Sequence, residues 1–393
     1  MPKINPEIQS FARIKVIGVG GSGGNAINHM ISAKVHGVDF IAMNTDTQDL
    51  HKNLSDKKIH LGKNLTKGLG AGMNPEVGRK AAEETRTEIQ DAIKGADMTF
   101  IACGLGGGTG TGAAPVVARA SKEQGILTVG VITRPFFFEG EQRRKIADIG
   151  LRELEKEVDA IITIPNDRLL SLADKEMSFD DAFAMSDEIL RQAVEGISDL
   201  ITTPGRINVD FADIKAIMSD AGSALMGIGH AAGEGRAEKA AIAAINSPLL
   251  EISITGAKGV LFAISGGADL GIQEVNTAAK IITESIDKDA KVIFGTIRDE
   301  KLKKGEIKVT VIATGFPANI QKKTLFGNNP VPAEMPKEEP KDKAKIAEAA
   351  EEEYLKKKKK IEPIEESDDD DKEDEAEDED DWNAIPAFLR RKK

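Results

Sequence analysis

Gly106-Gly107-Gly108-Thr109-Gly110-Thr111-Gly112 lies between two stretches of quite different character. Residues 98–103 (MTFIAC) form a short apolar run that reads as a buried strand, and residues 113–120 (AAPVVARA) read as a helix with Pro115 in its first turn. A strand, then five glycines and two threonines, then a helix is the layout of an anion site. Glycines let backbone N–H groups approach a phosphate, threonine hydroxyls add donors, and a helix N-terminus adds partial positive charge. A flexible spacer is the plain alternative, and it does not account for a buried strand leading straight into a helix.

Composition narrows the class. The 393 residues suffice for two domains with sizeable cores, or one large domain and a tail. Aromatics make up only 4% while glycine reaches 38 residues, which suits an α/β protein with many tight turns and not a β-sandwich. The single cysteine, Cys103, excludes an intramolecular disulfide and fits a reducing compartment. Five scattered histidines form no HExxH pair and no CxxC occurs, so a structural zinc site is not expected. No stretch after Lys3 has the apolar core of a signal peptide, and no run of about 18 apolar residues offers a membrane span, so a cytoplasmic protein is expected. The net charge of −12 is misleading, because residues 365–381 hold 14 Asp/Glu and one Lys and leave the rest of the chain at +1. A near-neutral body carries no nucleic-acid footprint.

Upstream, residues 13–19 (RIKVIGV) read as a strand running into Gly20-Gly21-Ser22-Gly23-Gly24 and a helix beginning near Asn25. The spacing Gly18-x-Gly20-x-x-Gly23 satisfies the dinucleotide fingerprint. Asp46, after the next strand (38–43), falls about where an NAD enzyme holds its ribose. An NAD-binding Rossmann oxidoreductase is therefore one open alternative. Gly20-x-Ser22-x-Gly24 also matches a nucleophile elbow, but a five-residue Gly/Ser run gives that match by composition. More telling is how many strand ends carry such segments: 20–25, 44–46, 68–75 ahead of a helix at 76–94, 104–112, and 133–140 after a strand at 126–132. In an open parallel sheet, ligands bind outside the carboxyl ends of the strands, so these segments converge on one edge. One glycine loop serves an NAD site; two large ones suggest a longer phosphate chain. No GxxxxGK[ST] occurs, so phosphate charge falls to backbone N–H groups, a metal ion and at most Arg143.

Taken with Asn208-Val209-Asp210-Phe211-Ala212-Asp213, the GGGTGTG run resembles the signature of the tubulin/FtsZ family of cell-division GTPases. The resemblance covers roughly residues 11–317 and the last dozen residues. It implies GTP/GDP and Mg²⁺ as ligands, hydrolysis of GTP, and head-to-tail homopolymers with each nucleotide between two subunits. By position it makes Gly21, Ser22, Gly23, Gly24 and Asn25 the first phosphate loop. Gly108, Thr109 and Gly110, preceded by Gly106 and Gly107, become the cradle of the β- and γ-phosphates. Glu139 and Arg143 fall at ribose and phosphate contacts. Asn166 and Asp187 fall where the guanine base is read, and Phe183 where its edge packs. A carboxylate and an amide oxygen can accept from guanine N1–H and its 2-amino group, which adenine lacks, so Asp187 favours GTP over ATP. Phe137 stands where relatives often carry a polar residue. Without this context Asn208, Asp210 and Asp213 read as helix caps. With it, Asp210 and Asp213 are implied as catalytic carboxylates that orient a water in the neighbour's site and accept its proton, with Asn208 positioning. A GTP-binding filament scaffold that does not hydrolyse is the second alternative.

The expected architecture is α/β. A mobile arm (1–10) precedes a Rossmann-like parallel-sheet GTP-binding domain (11–177). A long central helix (178–202), opened by Ser178 and Asp181 in a capping box, leads to a smaller α+β domain (203–317). That domain is expected to hold a helix at 214–219, strands at 250–255, 260–265, 291–296 and 307–314, and helices around 236–246 and 272–287. Residues 318–380 read as a disordered charged linker. The last segment, Trp382 to Lys393, carries the only Trp and places Trp382, Ile385 and Leu389 on one helical face, as a docking peptide would. The resemblance makes its partners membrane-attached division adaptors at the division site, with Arg390 to Lys393 adding weak attraction to anionic lipid.

Overall fold

Ile14 and Val16 belong to one core of the protein and Ile17 and Val19 to another, and all four are buried. A strand apolar on both faces has to be covered on both sides, which is the condition for a parallel sheet between helical layers. The computed structural model describes residues 12–170, 177–203, 205–247, 250, 253–299 and 301–316. The expected arm, charged linker and terminal peptide lie outside the described residues.

The first half runs β1 (Ile14–Val19), α1 (Gly20–Ser32), β2 (Val38–Asn44), α2 (Thr47–Lys52), β3 (Lys57–His60), α3 (Lys63–Thr66), α4 (Pro75–Glu84), α5 (Arg86–Ile93) and β4 (Met98–Gly104). It continues with α6 (Thr109–Lys122), β5 (Leu127–Arg134), a 3-10 turn (Phe137–Glu139), α7 (Glu141–Leu154), β6 (Ala160–Pro165) and α8 (Asn166–Leu169). Then come α9 (Phe179–Thr202), α10 (Phe211–Met218), β7 (Gly222–Ala232), α11 (Arg236–Ile245), β8 (Gly259–Gly266), α12 (Ile272–Glu284), β9 (Lys291–Arg298) and β10 (Glu306–Thr314). The strands lie in the order β3-β2-β1-β4-β5-β6-β7-β10-β8-β9. β1 to β6 are parallel, as the glycine-rich strand ends required. β7 joins β6 in parallel over Ala160 to Ile162, then pairs along its length with β10, which runs against its neighbours β7 and β8. The fold is mixed α/β, a parallel-sheet half followed by a second, four-stranded sheet.

α9 ties the two halves together. Ser178 Oγ accepts from the Asp181 N–H at 3.1 Å, and the Asp181 carboxylate accepts from the Ser178 N–H at 3.2 Å, so the expected capping box closes. Its apolar face (Ile189, Leu190, Val194, Ile197) is buried in one core with Val129 and Ile162 of the first half and Leu261 and Ile312 of the second.

Several expected elements fall elsewhere. The helix expected over 76–94 is two, divided at Thr85, whose buried hydroxyl accepts from Gly62 N–H and donates to the Ala81 carbonyl. No strand forms over the described residues near 250–255; Ile254 is buried in a bend instead. The missing strand is β7, whose glycines hid it from a propensity reading. Those glycines answer to packing. A Cβ on Gly227 would lie 2.0 Å from the Ala244 carbonyl oxygen, and one on Gly229 2.0 Å from that of Ala240, because α11 rests directly on the strand. Gly229→Ala should therefore destabilise the protein by about 3 kcal/mol in urea unfolding, as overpacking against rigid backbone does.

Candidate functional site

Both glycine-rich segments form first turns of helices. α1 begins at Gly20 and α6 at Thr109, each several residues ahead of its expected start, so Pro115 lies inside α6 and not in its first turn. Neither start has a side-chain cap. The first N–H groups of both helices are left for something else to satisfy.

They meet at one cavity of about 320 Å³, lined by Gly20, Gly21 and Ser22 of α1 and by Gly107, Gly108, Thr109 and Gly110 at the start of α6. Thr133, Pro135, Glu139 and Arg143 close another side, and Asn166, Phe183, Ser186 and Asp187 a third. Of the candidate nucleotide residues, the cavity thus brings together Gly21, Ser22, Gly107, Gly108, Thr109, Gly110, Glu139, Arg143, Asn166, Phe183 and Asp187. Gly23, Gly24, Asn25 and Gly106 are not on its lining. Gly23 packs α1 against β4, where a Cβ would come 2.3 Å from the Ala102 carbonyl. The Gly24 carbonyl accepts from Asn53 Nδ2 at 2.9 Å, and Asn25 is exposed. Gly106, at φ +103°, turns the chain from β4 into α6, with its N–H held by Thr111 Oγ1 at 2.9 Å.

The side chains of the cavity carry no net positive charge: the titratable ones are Glu139, Arg143 and Asp187. Arg143 donates to Glu139 at 2.6 Å, and Glu139 also accepts from the Phe136 N–H at 2.9 Å, so the one cation is already paired. Attraction for an anion therefore comes from the two open helix starts. Burial pushes the Asp187 carboxyl up to about 6, opposed by the nearby His29. Asn166 is oriented by Ser186, whose hydroxyl donates to its Oδ1 at 3.0 Å. That bond uses one lone pair of Asn166 Oδ1 and leaves the second as an acceptor, with Nδ2 as a donor. Phe183 presents a ring braced edge-on by Phe136, with centroids 5.2 Å apart. Phe137 is exposed and does not line the cavity; its N–H is held by Asp167 at 2.7 Å.

Asn208, Asp210 and Asp213 are elsewhere. All three are exposed and none lines the cavity. Asn208 accepts from the Gly205 N–H at 2.7 Å, and Asp210 caps α10 by accepting from the Asp213 N–H at 2.8 Å. The Asp213 carboxylate has no protein partner among the described residues. Val209 is fixed beside Leu200: the space over Gly295 is filled from both, at 3.0 and 2.8 Å. Leu200 lies on α9 thirteen residues beyond Asp187, about 20 Å along the axis. At the same end, Thr202 packs against Gly37, which precedes β2 at the sheet edge opposite the glycine turns.

Both halves of the chain match known family domains. The Tubulin/FtsZ family, GTPase domain, matches residues 13–174, and the FtsZ family, C-terminal domain, matches residues 222–317. An empty FtsZ dimer from M. jannaschii superposes with a TM-score of 0.77 at 43% identity, over 83% of this chain and 96% of that one. The chain belongs to the tubulin/FtsZ family. A single-substitution variant of the M. jannaschii FtsZ gives a TM-score of 0.75 at 45% identity, over 78% of this chain and 92% of that one. CetZ2 from Haloferax volcanii, at 24% identity, shares the fold with a TM-score of 0.65, over 77% of this chain and 92% of that one. Membership makes this a cytoskeletal-type GTPase fold whose ligands are guanine nucleotides. Asp46, the acid of the NAD alternative, caps α2, accepting from the Gln48 and Asp49 N–H groups at 2.8 and 3.2 Å.

The glycines of the FtsZ signature divide by role. A side chain on Gly107 would meet nothing within 4 Å and would enter the cavity, whereas one on Gly112 would strike the Pro75 carbonyl at 1.9 Å. Gly107→Ala should leave unfolding within about 0.5 kcal/mol of wild type yet abolish GTP binding by equilibrium dialysis. Gly112→Ala should instead lower stability.

Proposed function

We propose that this protein hydrolyses GTP and polymerises head to tail, the active site being completed between adjacent subunits. The observation that carries this is the separation within one chain of the phosphate cradle from Asp210 and Asp213. The cradle holds hydroxyls and N–H donors but no free base able to take water's proton, while the unpaired Asp213 sits at the far end of α9. A second subunit stacked along α9 offers that carboxylate to the first one's nucleotide, where it orients water and accepts its proton during in-line displacement. The dimeric form of the M. jannaschii relative supports self-association.

On this reading residues 11–177 hold nucleotide, 178–202 act as a spacer, and 203–317 carry the catalytic loop. Phosphates sit on the first turns of α1 and α6, Arg143 leaves Glu139 to meet them, Glu139 turns to the ribose, and Asp187, Asn166 and Phe183 take the base. Among the described residues no group of three His, Cys, Asp or Glu side chains offers a metal site. Mg²⁺ bound with the nucleotide would supply the charge neutralisation that the cavity's side chains lack. Among the described residues no helix is long and apolar enough to cross a membrane. We place the filaments in the cytoplasm at the division site, attached through Trp382 to Lys393 to membrane-bound adaptors.

GTP turnover per subunit across a protein-concentration series tests the shared site. Activity should be negligible below a threshold and rise above it, and Asp213→Ala should bind GTP and assemble but turn over at least 100-fold slower, the scale of general base catalysis. Constant activity per subunit at every dilution would sink the proposal. Asp187 supplies a pH test. Its raised pKa means that the free protein holds a proton there below about pH 6, which base recognition by the carboxylate must release. GTP affinity should therefore fall about tenfold per pH unit below 6, relative to Asp187→Asn, whose weaker binding should lack that component. For the free protein the sign reverses: the Asp187 contribution to stability falls as pH rises from about 4 through 6.

A further inference from the structure

Thr45 is the first residue after β2 and is fully buried. Its hydroxyl lies 2.6 Å from that of Thr109, the first residue of α6, which lines the cavity. Among the described residues Thr45 Oγ1 has no other hydrogen-bond partner. Two hydroxyls bring two protons, and the bond between them uses one. If Thr109 donated, the Thr45 proton would be stranded in a dry interior with no acceptor, at the full desolvation cost of an unmade donor. If Thr45 donates, its own proton is used and the Thr109 proton is free to point into the cavity. Burial decides the direction of the bond.

Resting on the proposed binding of GTP, we infer that Thr45 is a positioning residue that keeps the Thr109 hydroxyl poised as a donor to bound phosphate. The surroundings hold Thr45 in place: its carbonyl accepts from Thr66 Oγ1 and from the Gly70 N–H, both at 3.3 Å. A chain from Thr45 through Thr109 to a phosphate oxygen also polarises each bond by the next, so the terminal donor is stronger than a lone hydroxyl.

Two substitutions separate the hydroxyl from the methyl. Thr45→Val keeps the shape and removes the donor; Thr45→Ser keeps the donor and removes the methyl. GTP affinity, by isothermal titration, should fall about tenfold in Thr45→Val and stay within about twofold of wild type in Thr45→Ser. Melting temperatures without nucleotide report packing separately, and should Val melt earlier than wild type, Thr45→Ala supplies the same hydroxyl loss. The reverse order, with Ser weakened and Val normal, would assign Thr45 to packing and overturn the inference, as would unchanged affinity in both hydroxyl-less variants. Wild-type protein that binds no GTP would instead remove the proposed function itself.

Discussion

Everything in the nucleotide half follows from two helices that start uncapped at the same place. A capping side chain at the head of α1 or α6 would satisfy the N–H groups that face the cavity and fill the space before them. Four helices that start away from the cavity are closed by side chains: Asp46 caps α2, Asn74 caps α4, Ser178 caps α9 and Asp210 caps α10. Leaving the two starts open demands residues with no competing polar group, which is one reason for the glycines. The other is crowding, since α1 and α6 must also lie close enough to β4 and α4 that a methyl group at Gly23 or Gly112 finds a carbonyl oxygen in its way.

The same rigidity sets the distance to the carboxylates. α9 is anchored at its head by the aromatic cluster of Phe136, Phe179 and Phe183 and by the capping box. Its tail is held by Leu200 and Val209 over Gly295 and by Thr202 against Gly37. A helix buried along its length does not shorten, so loop flexibility after Thr202 cannot return Asp213 to the cavity of its own chain while Val209 stays packed. In the proposed assembly the helix is a spacer that makes one subunit's carboxylate available only to another.

Much of this was legible in the sequence, because the signals were local. Buried apolar runs gave β1, β4 and β5, and Ser178 with Asp181 gave the start of α9. The starts of α1 and α6 were misjudged because glycine and threonine have poor helix propensity, while the tertiary packing that holds those turns helical leaves no local trace. β7 was missed for a related reason, since the glycines that let α11 sit on it imitate a loop. Side-chain commitments were invisible too. Nothing in the order of residues says that Glu139 already holds Arg143, that Ser186 takes the oxygen of Asn166, or that Thr45 reaches Thr109 across 64 positions.

Those commitments bear on how a cavity without net positive side-chain charge selects a polyanion. Arg143 is held by Glu139 in the free protein, and Asp187 adds a negative charge when ionised, so the side chains offer an entering phosphate chain no net attraction and the helix starts supply it until Arg143 is released. On the proposed reading guanine changes that balance, because its N1–H and 2-amino donors would meet the Asp187 charge. Adenine offers neither, and Asp187 would have to take up a proton, at a cost that grows with each pH unit above about 6. In the proposed site, base recognition and phosphate recognition are therefore one electrostatic problem. The weak point of the cavity as an anion binder, a half-buried carboxylate on its wall, would make the choice of base matter.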